Sequence, residues 1–138
     1  MIGGLLVDAG PLVAVLSRRD AHHARCTAVL ADLRGRMCTT WACVTEAMYL
    51  LDFSPHAQAG LLQMIERRVL QVLPVEAEDL APIRQLMGKY ADLPMDFADA
   101  TLVRVAGREG YSVVFTLDRR DFSVYRLPDG SPFRVVPD

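Results

Sequence analysis

Two apolar runs, far apart in the chain, each stop at an aspartate. Gly3-Gly4-Leu5-Leu6-Val7 leads into Asp8, and Val113-Val114-Phe115-Thr116-Leu117 leads into Asp118. Short continuous runs of this kind, rather than alternating ones, mark strands covered on both faces. A parallel sheet between two helical layers meets that requirement. An acid at the end of such a strand sits beside a core. Its charge costs free energy there unless something compensates for it.

The rest of the chain fits the same plan. The first strand is expected over residues 3–8. Gly10-Pro11 then opens a short helix, since proline is tolerated at the first helical position. Asp20 is suited to cap a helix from Ala21 to Arg34, and Met37-Cys38-Thr39-Thr40 reads as a short strand. Trp41 to Leu51 reads as helix. Ser54-Pro55 joins a capping residue to a first-turn proline and starts another helix running to Arg68. Val69 to Leu73 is a strand stopped by Pro74, and Glu78 to Tyr90 is a helix. Residues 91–94 form a loop, Asp96 to Glu109 a helix closed by Gly110, and Phe133-Arg134-Val135-Val136 a last strand. Strands alternating with helices predict a three-layer α/β/α fold around a central parallel sheet, with residues 1–138 as a single domain.

Bulk properties narrow the function. No long apolar window predicts a membrane span, and no secretory leader is expected at the N-terminus, which points to the cytoplasm. The three cysteines, Cys26, Cys38 and Cys43, have neither disulfide nor zinc spacing and read as small buried thiols. A net charge of -2 gives no global basic field for nucleic acid. The basic residues are nonetheless 14 arginines and the single Lys89. Arginine's planar fork of donors suits phosphate, but genome composition produces the same excess.

In open parallel sheets ligands bind outside the carboxyl ends of the strands. Asp8 and Asp118 are expected at that edge. Asp99, in the first turn of its helix, and Glu46, inside the third helix, are placed to join them. Crowded carboxylates repel and take up protons unless neutralised. Hard cations such as Mg²⁺ or Mn²⁺ prefer oxygen ligands and would answer the problem for all four. Such ions support phosphodiester hydrolysis without a catalytic serine, cysteine or histidine. His22, His23 and His56 fall outside the acidic segments.

Each acid has a structural alternative. Asp8 would hold the turn before Gly10-Pro11, and Glu46 would be an exposed helix residue. Asp96 and Asp99 have capping-box spacing; Asp96 is assigned mainly as a cap and Asp99 mainly as a ligand. Asp118 and Asp121 flank Arg119-Arg120 in either a solvated turn or a metal edge with an arginine near phosphate. Thr116 is a donor to a ligand or carboxylate, or simply a strand residue. The His22-His23 pair reads as capping or packing, Trp41 and Met48 as core or interface, and Arg18-Arg19 and Arg67-Arg68 as solvated helix ends.

The motifs Leu6-Val7-Asp8-Ala9-Gly10-Pro11-Leu12, Thr45-Glu46-Ala47, Asp96-Phe97-Ala98-Asp99-Ala100 and Thr116-Leu117-Asp118-Arg119-Arg120-Asp121-Phe122 occur in that order. As an ordered set, covering nearly the whole chain, they resemble a PIN-domain ribonuclease, in particular a VapC-type toxin. The resemblance implies a Mg²⁺- or Mn²⁺-dependent endoribonuclease with Asp8, Glu46, Asp99 and Asp118 as its catalytic, metal-holding quartet. It makes Asp96, Thr116 and Asp121 auxiliary residues. It also implies an RNA substrate, a homodimer and a cognate antitoxin, as in type II toxin–antitoxin pairs. Alternatives are a PIN nuclease of RNA processing, a non-catalytic metal- or RNA-binding module, and a phosphoryl-transfer enzyme with Asp8 as nucleophile. The last is disfavoured by Gly10 where a dehalogenase-like enzyme needs a second aspartate. A receiver domain needs a lysine after a late strand, and Lys89 precedes the Asp96 helix.

Overall fold

A computed structural model describes residues 2–138. Five strands, β1 (Ile2–Val7), β2 (Leu33–Thr39), β3 (Leu70–Val72), β4 (Val113–Phe115) and β5 (Arg134–Val136), form one sheet in the order β3-β2-β1-β4-β5. Every neighbouring pair is parallel. The helices are α1 (Ala9–Leu16), α2 (His23–Asp32), α3 (Trp41–Leu50), α4 (Pro55–Glu66), α5 (Leu80–Lys89), α6 (Phe97–Glu109) and the short α7 (Arg119–Phe122).

The strands send alternate residues to two cores. Leu6, Cys38, Val114 and Val135 pack with α5, α6 and the Phe122–Tyr125 segment. Leu5, Val7, Met37, Phe115 and Val136 pack with α1, α2 and α4. Helix α3 joins the layers: Cys43 belongs to the first core and Val44, Ala47 and Leu51 to the second. The result is the expected α/β/α sandwich. All three cysteines are free and buried. Among the described residues no helix is long and apolar enough to cross a membrane.

Boundaries differ from expectation for identifiable reasons. Asp8 is the cap of α1, taking the Ala9 N–H at 2.8 Å, so Pro11 falls at the third helical position, still in the unbonded first turn. Asp20 does not cap α2. Its carboxylate takes the His22 N–H at 2.8 Å and closes the preceding turn, and the helix begins at His23. Residues 33–34, expected in that helix, belong to β2, where Leu33 pairs with Ile2. The backbones approach closely here; a Cβ on Gly35 would lie 1.3 Å from the Gly3 carbonyl oxygen, so only glycine fits. Val69 is drawn out of β3 because its N–H closes the end of α4 on the Met64 carbonyl at 2.9 Å. A 3₁₀ turn, Ala77–Asp79, replaces the expected first turn of α5.

Asp79 anchors the far helical layer. Its buried carboxylate accepts Arg104 Nε, an Arg108 guanidinium N–H and the Glu76 backbone N–H, each at 2.8 Å. The Glu76 N–H, then the two arginines, hold its carboxyl below the usual range. Asp79→Ala takes the carboxylate from Arg104 and leaves Arg108 only Glu109, on its Nε at 3.0 Å. Since both guanidinium groups reach water, the expected loss is about 2–3 kcal/mol, below that of a fully buried pair. Urea unfolding of both proteins at neutral pH measures it.

Candidate active site

The sheet order reverses at β1, between β2 on one side and β4 on the other. A crevice therefore opens at the carboxyl ends of β1 and β4. The local sequence places acids on both rims. Asp8 follows β1 directly, and its own N–H extends the ladder to the Phe115 carbonyl at 2.9 Å. Thr116 follows β4, and Asp118 caps α7 by accepting the Asp121 N–H at 3.4 Å. Asp96 caps α6 by accepting the Asp99 N–H at 2.7 Å, which fixes Asp99 in the first turn. The start of α6 is held to the same edge by Thr101, whose hydroxyl lies 2.8 Å from that of Thr40 at the end of β2.

Thr116 ties the acids together. Its hydroxyl donates to Asp8 Oδ2 at 2.9 Å and accepts the Asp118 N–H at 3.0 Å. Asp8 thus has one oxygen on the Ala9 N–H and the other on Thr116. Cys43 Sγ lies 3.9 Å from Asp8 Oδ1. Asp99 is 7% exposed and accepts the Tyr125 hydroxyl at 3.0 Å. Tyr125 is itself locked by edge-to-face contacts with Tyr90 and Phe122, each 5.0 Å between ring centres.

Carboxylate oxygens of Asp99, Asp118 and Asp121 lie within 4.8 Å of one another. Asp8 and Glu46 stand outside this tight group. Glu46 is exposed on α3. Among the described residues no ion pair reaches Asp8, Asp99, Asp118 or Asp121. Arg119, next to Asp118, donates instead to the carbonyls of Val135 and Pro137, so it does not turn into the crevice.

The electrostatics follow from burial plus repulsion. Burial, then the charges of Asp8 and Asp96, push Asp99 up to about 8. Burial likewise raises Asp8, with Asp96 adding repulsion. Glu46 is raised by desolvation, then by Asp8 and Asp96. Asp118 is raised by burial, with Asp121 and Asp8 contributing. Folded Asp99 therefore holds its proton above the ordinary value of 3.8, and between there and about 8 the folded state binds more protons than the unfolded chain. Stability is full below that window and falls as pH rises through it. Melting temperatures in EDTA are expected to drop from pH 5.5 to pH 8.5; a flat or rising profile contradicts this balance.

Sequence reasoning missed Tyr125, Cys43, Thr40 and Thr101, whose partners are distant in the chain. It left Asp121 undecided, and its Asp118-x-x-Asp121 spacing, the signature of a cap, was the available signal for α7. The structure brings Asp99, Asp118 and Asp121 into one group, with Asp8 joined to it through Thr116. It leaves Glu46 at the rim.

A doubly wound parallel sheet with a carboxylate cluster at its reversal point defines the class: an α/β protein whose site is made of oxygen ligands. The PIN domain family model matches residues 5–127, and the chain belongs to the PIN-domain family. Membership implies use of a divalent metal, and the acid cluster is of the composition such an ion requires. Ribonuclease VapC26 of Mycobacterium tuberculosis (strain ATCC 25618 / H37Rv) is 24% identical over 135 residues, covering 96% of this chain and 100% of that protein. Among solved structures, Mycobacterium tuberculosis VapC20, described as a sarcin-ricin loop cleaving toxin, matches with a TM-score of 0.77. Its identity is 19%, over 84% of this chain and 91% of that one. VapBC2 from Rickettsia felis, bound to a promoter DNA fragment, matches with a TM-score of 0.62 at 13% identity over 96% of both chains.

Proposed function

We propose that this chain, as a single domain over residues 1–138, is a Mg²⁺- or Mn²⁺-dependent endoribonuclease and the toxin of a type II toxin–antitoxin pair. The observation that carries this reading is the group of Asp99, Asp118 and Asp121 within 4.8 Å, with no ion pair to it among the described residues and with Asp99 pushed up to about 8. Such a set is short of one cation. The donors are all hard oxygens, so they fit Mg²⁺ or Mn²⁺ rather than zinc.

Asp99, Asp118 and Asp121 are the residues to hold the ion, with Asp8 at its margin. A bound divalent ion supplies an acidified water and neutralises charge on the phosphodiester. Tyr125 fixes the Asp99 carboxylate by donating to Oδ2, and Thr116 fixes Asp8 in the same way. To Glu46, exposed on α3 with its carboxyl raised by desolvation and then by Asp8 and Asp96, we assign the role of completing the shell or orienting a water. The partners that accompany this reading are an RNA substrate, a cognate antitoxin and a second copy of the chain, in the cytoplasm. The similar VapBC structures support the antitoxin.

The test is RNA cleavage by purified protein with Mn²⁺ or Mg²⁺, compared with Asp8→Asn. Cutting by the parent alone supports the reading; equal cutting by both shows a contaminating nuclease. Tyr125→Phe keeps the ring packing and removes one donor. It is expected to weaken metal binding by about 10–100-fold, as loss of a supporting hydrogen bond does. Titration of the melting temperature with Mn²⁺ reads that change.

A further inference from the structure

A groove of about 620 Å³ runs along the sheet's edge strand β3. Its lining includes Arg36, Trp41, Ile65, Arg68 and Gln71, and no carboxylate. Arg36 and Arg68 are exposed, on a chain whose net charge is -2. Trp41, expected in a core or an interface, is 57% exposed, which excludes the core. It opens α3, whose first turn also holds Cys43, beside Asp8, and whose second turn carries Glu46. Trp41 lies just past the carboxyl end of β2, so its end of the groove is the one nearer the acids, while Arg36 and Arg68 lie before the paired residues Met37 and Leu70.

Arg68 has an unusual backbone. Its φ is +61°, and it is the one non-glycine residue with positive φ among those described. It follows the cap of α4, where its N–H bonds the Ile65 carbonyl at 3.1 Å and Val69 N–H bonds Met64. Glycine is the usual residue at this helix-ending position, because a Cβ is strained there. An arginine side chain therefore stands on the groove at a position where the backbone favours glycine.

Resting on the nuclease reading, we propose that this groove binds the single-stranded part of the RNA substrate. Trp41 stacks on a base, and Arg36 and Arg68 contact phosphates on the way to the acids. An aromatic platform flanked by arginines is the chemistry that holds single strands without base-specific readout. It also resolves how a net-acidic chain with an acidic centre attracts a polyanion: the basic contacts are set apart from the carboxylates, along one sheet edge.

The experiment measures binding of a short fluorescein-labelled single-stranded RNA by anisotropy across a salt series, in an Asp99→Asn parent that does not cleave. Trp41→Ala is expected to weaken binding about tenfold, the loss of one stacked base. Arg68→Gly is expected to raise the melting temperature by about 3 °C, since it relieves the left-handed strain. The same change is expected to reduce the slope of log affinity against log salt by about 0.7, one single-strand phosphate contact. A variant that gains stability while losing RNA cannot be explained by damage to the fold. Parental affinity and slope in both variants overturn the groove alone. A parent that binds no RNA overturns the groove together with the nuclease reading.

Discussion

Asp99→Asn is expected to abolish RNA cleavage, by more than about a hundredfold, and at the same time to stabilise the metal-free protein. The first effect exceeds the 10–100-fold typical of residues that only support a metal ligand. The second follows from the cost of a nearly buried carboxylate facing Asp8 and Asp96, whose charges help push it up to about 8. Asparagine keeps an oxygen to accept the Tyr125 hydroxyl and offers an amide to the carboxylates of Asp118 and Asp121. Removal of one buried charge is worth about 1–3 kcal/mol at pH 8, and nearly nothing at pH 4, where the wild-type carboxyl is already protonated. Thermal melts in EDTA and in Mn²⁺ separate the parts: the variant melts higher in EDTA and no longer responds to the ion. A variant that loses both activity and stability would make Asp99 a structural residue and empty the metal reading of its main support. Asp96→Asn is the matched control, because asparagine caps as well as aspartate, and it should retain most of the response to metal.

The opposed stability effects explain how much of this molecule was readable from its sequence. Strands β1 and β4 were legible because continuous apolar runs leave few alternatives. The end of α6 was legible because Gly110, at φ +80°, takes a conformation few other residues accept. Those signals are local. The start of β2 was not, since Leu33 to Arg36 carry no strand pattern and are held only by pairing with β1. The same division runs through the site. Asp8 and Asp118 betray themselves as acids after apolar strands, and Asp96 as a cap. Tyr125 reads as one more aromatic in the core, and nothing near it in sequence shows that its hydroxyl reaches back 26 residues to Asp99. Asp121 looks like half of a surface ion pair with Arg119 or Arg120. It enters the acid group because α7, only four residues long, turns it back beside Asp118. For Trp41 the sequence left core and interface open, because helical spacing cannot tell which face of α3 lies on the sheet, and its exposure excludes the core.

Thr116→Val tests whether the cluster is preorganised by the sheet or only by the ion that fills it. The swap preserves the shape of a fully buried side chain and deletes a single hydroxyl. That hydroxyl serves both rims of the crevice, donating to Asp8 on β1's side and accepting from the backbone of Asp118 on β4's side. Its loss frees the Asp118 N–H and withdraws a donor that lowers the Asp8 carboxyl, so Asp8 rises further. Stability is expected to fall by about 1 kcal/mol, the net worth of hydrogen bonds at a part-buried edge where the freed Asp118 N–H can reach water. Cleavage is expected to fall by about 10–100-fold, with the pH needed for activity displaced upward because more proton must be removed from Asp8. Thr116→Ser restores the hydroxyl while removing a methyl group. Recovery of activity and of the pH profile in the serine variant assigns the effect to the hydrogen bonds. If serine and valine are equally impaired, the methyl packing is what matters, and the two acids are held in place without the bridge.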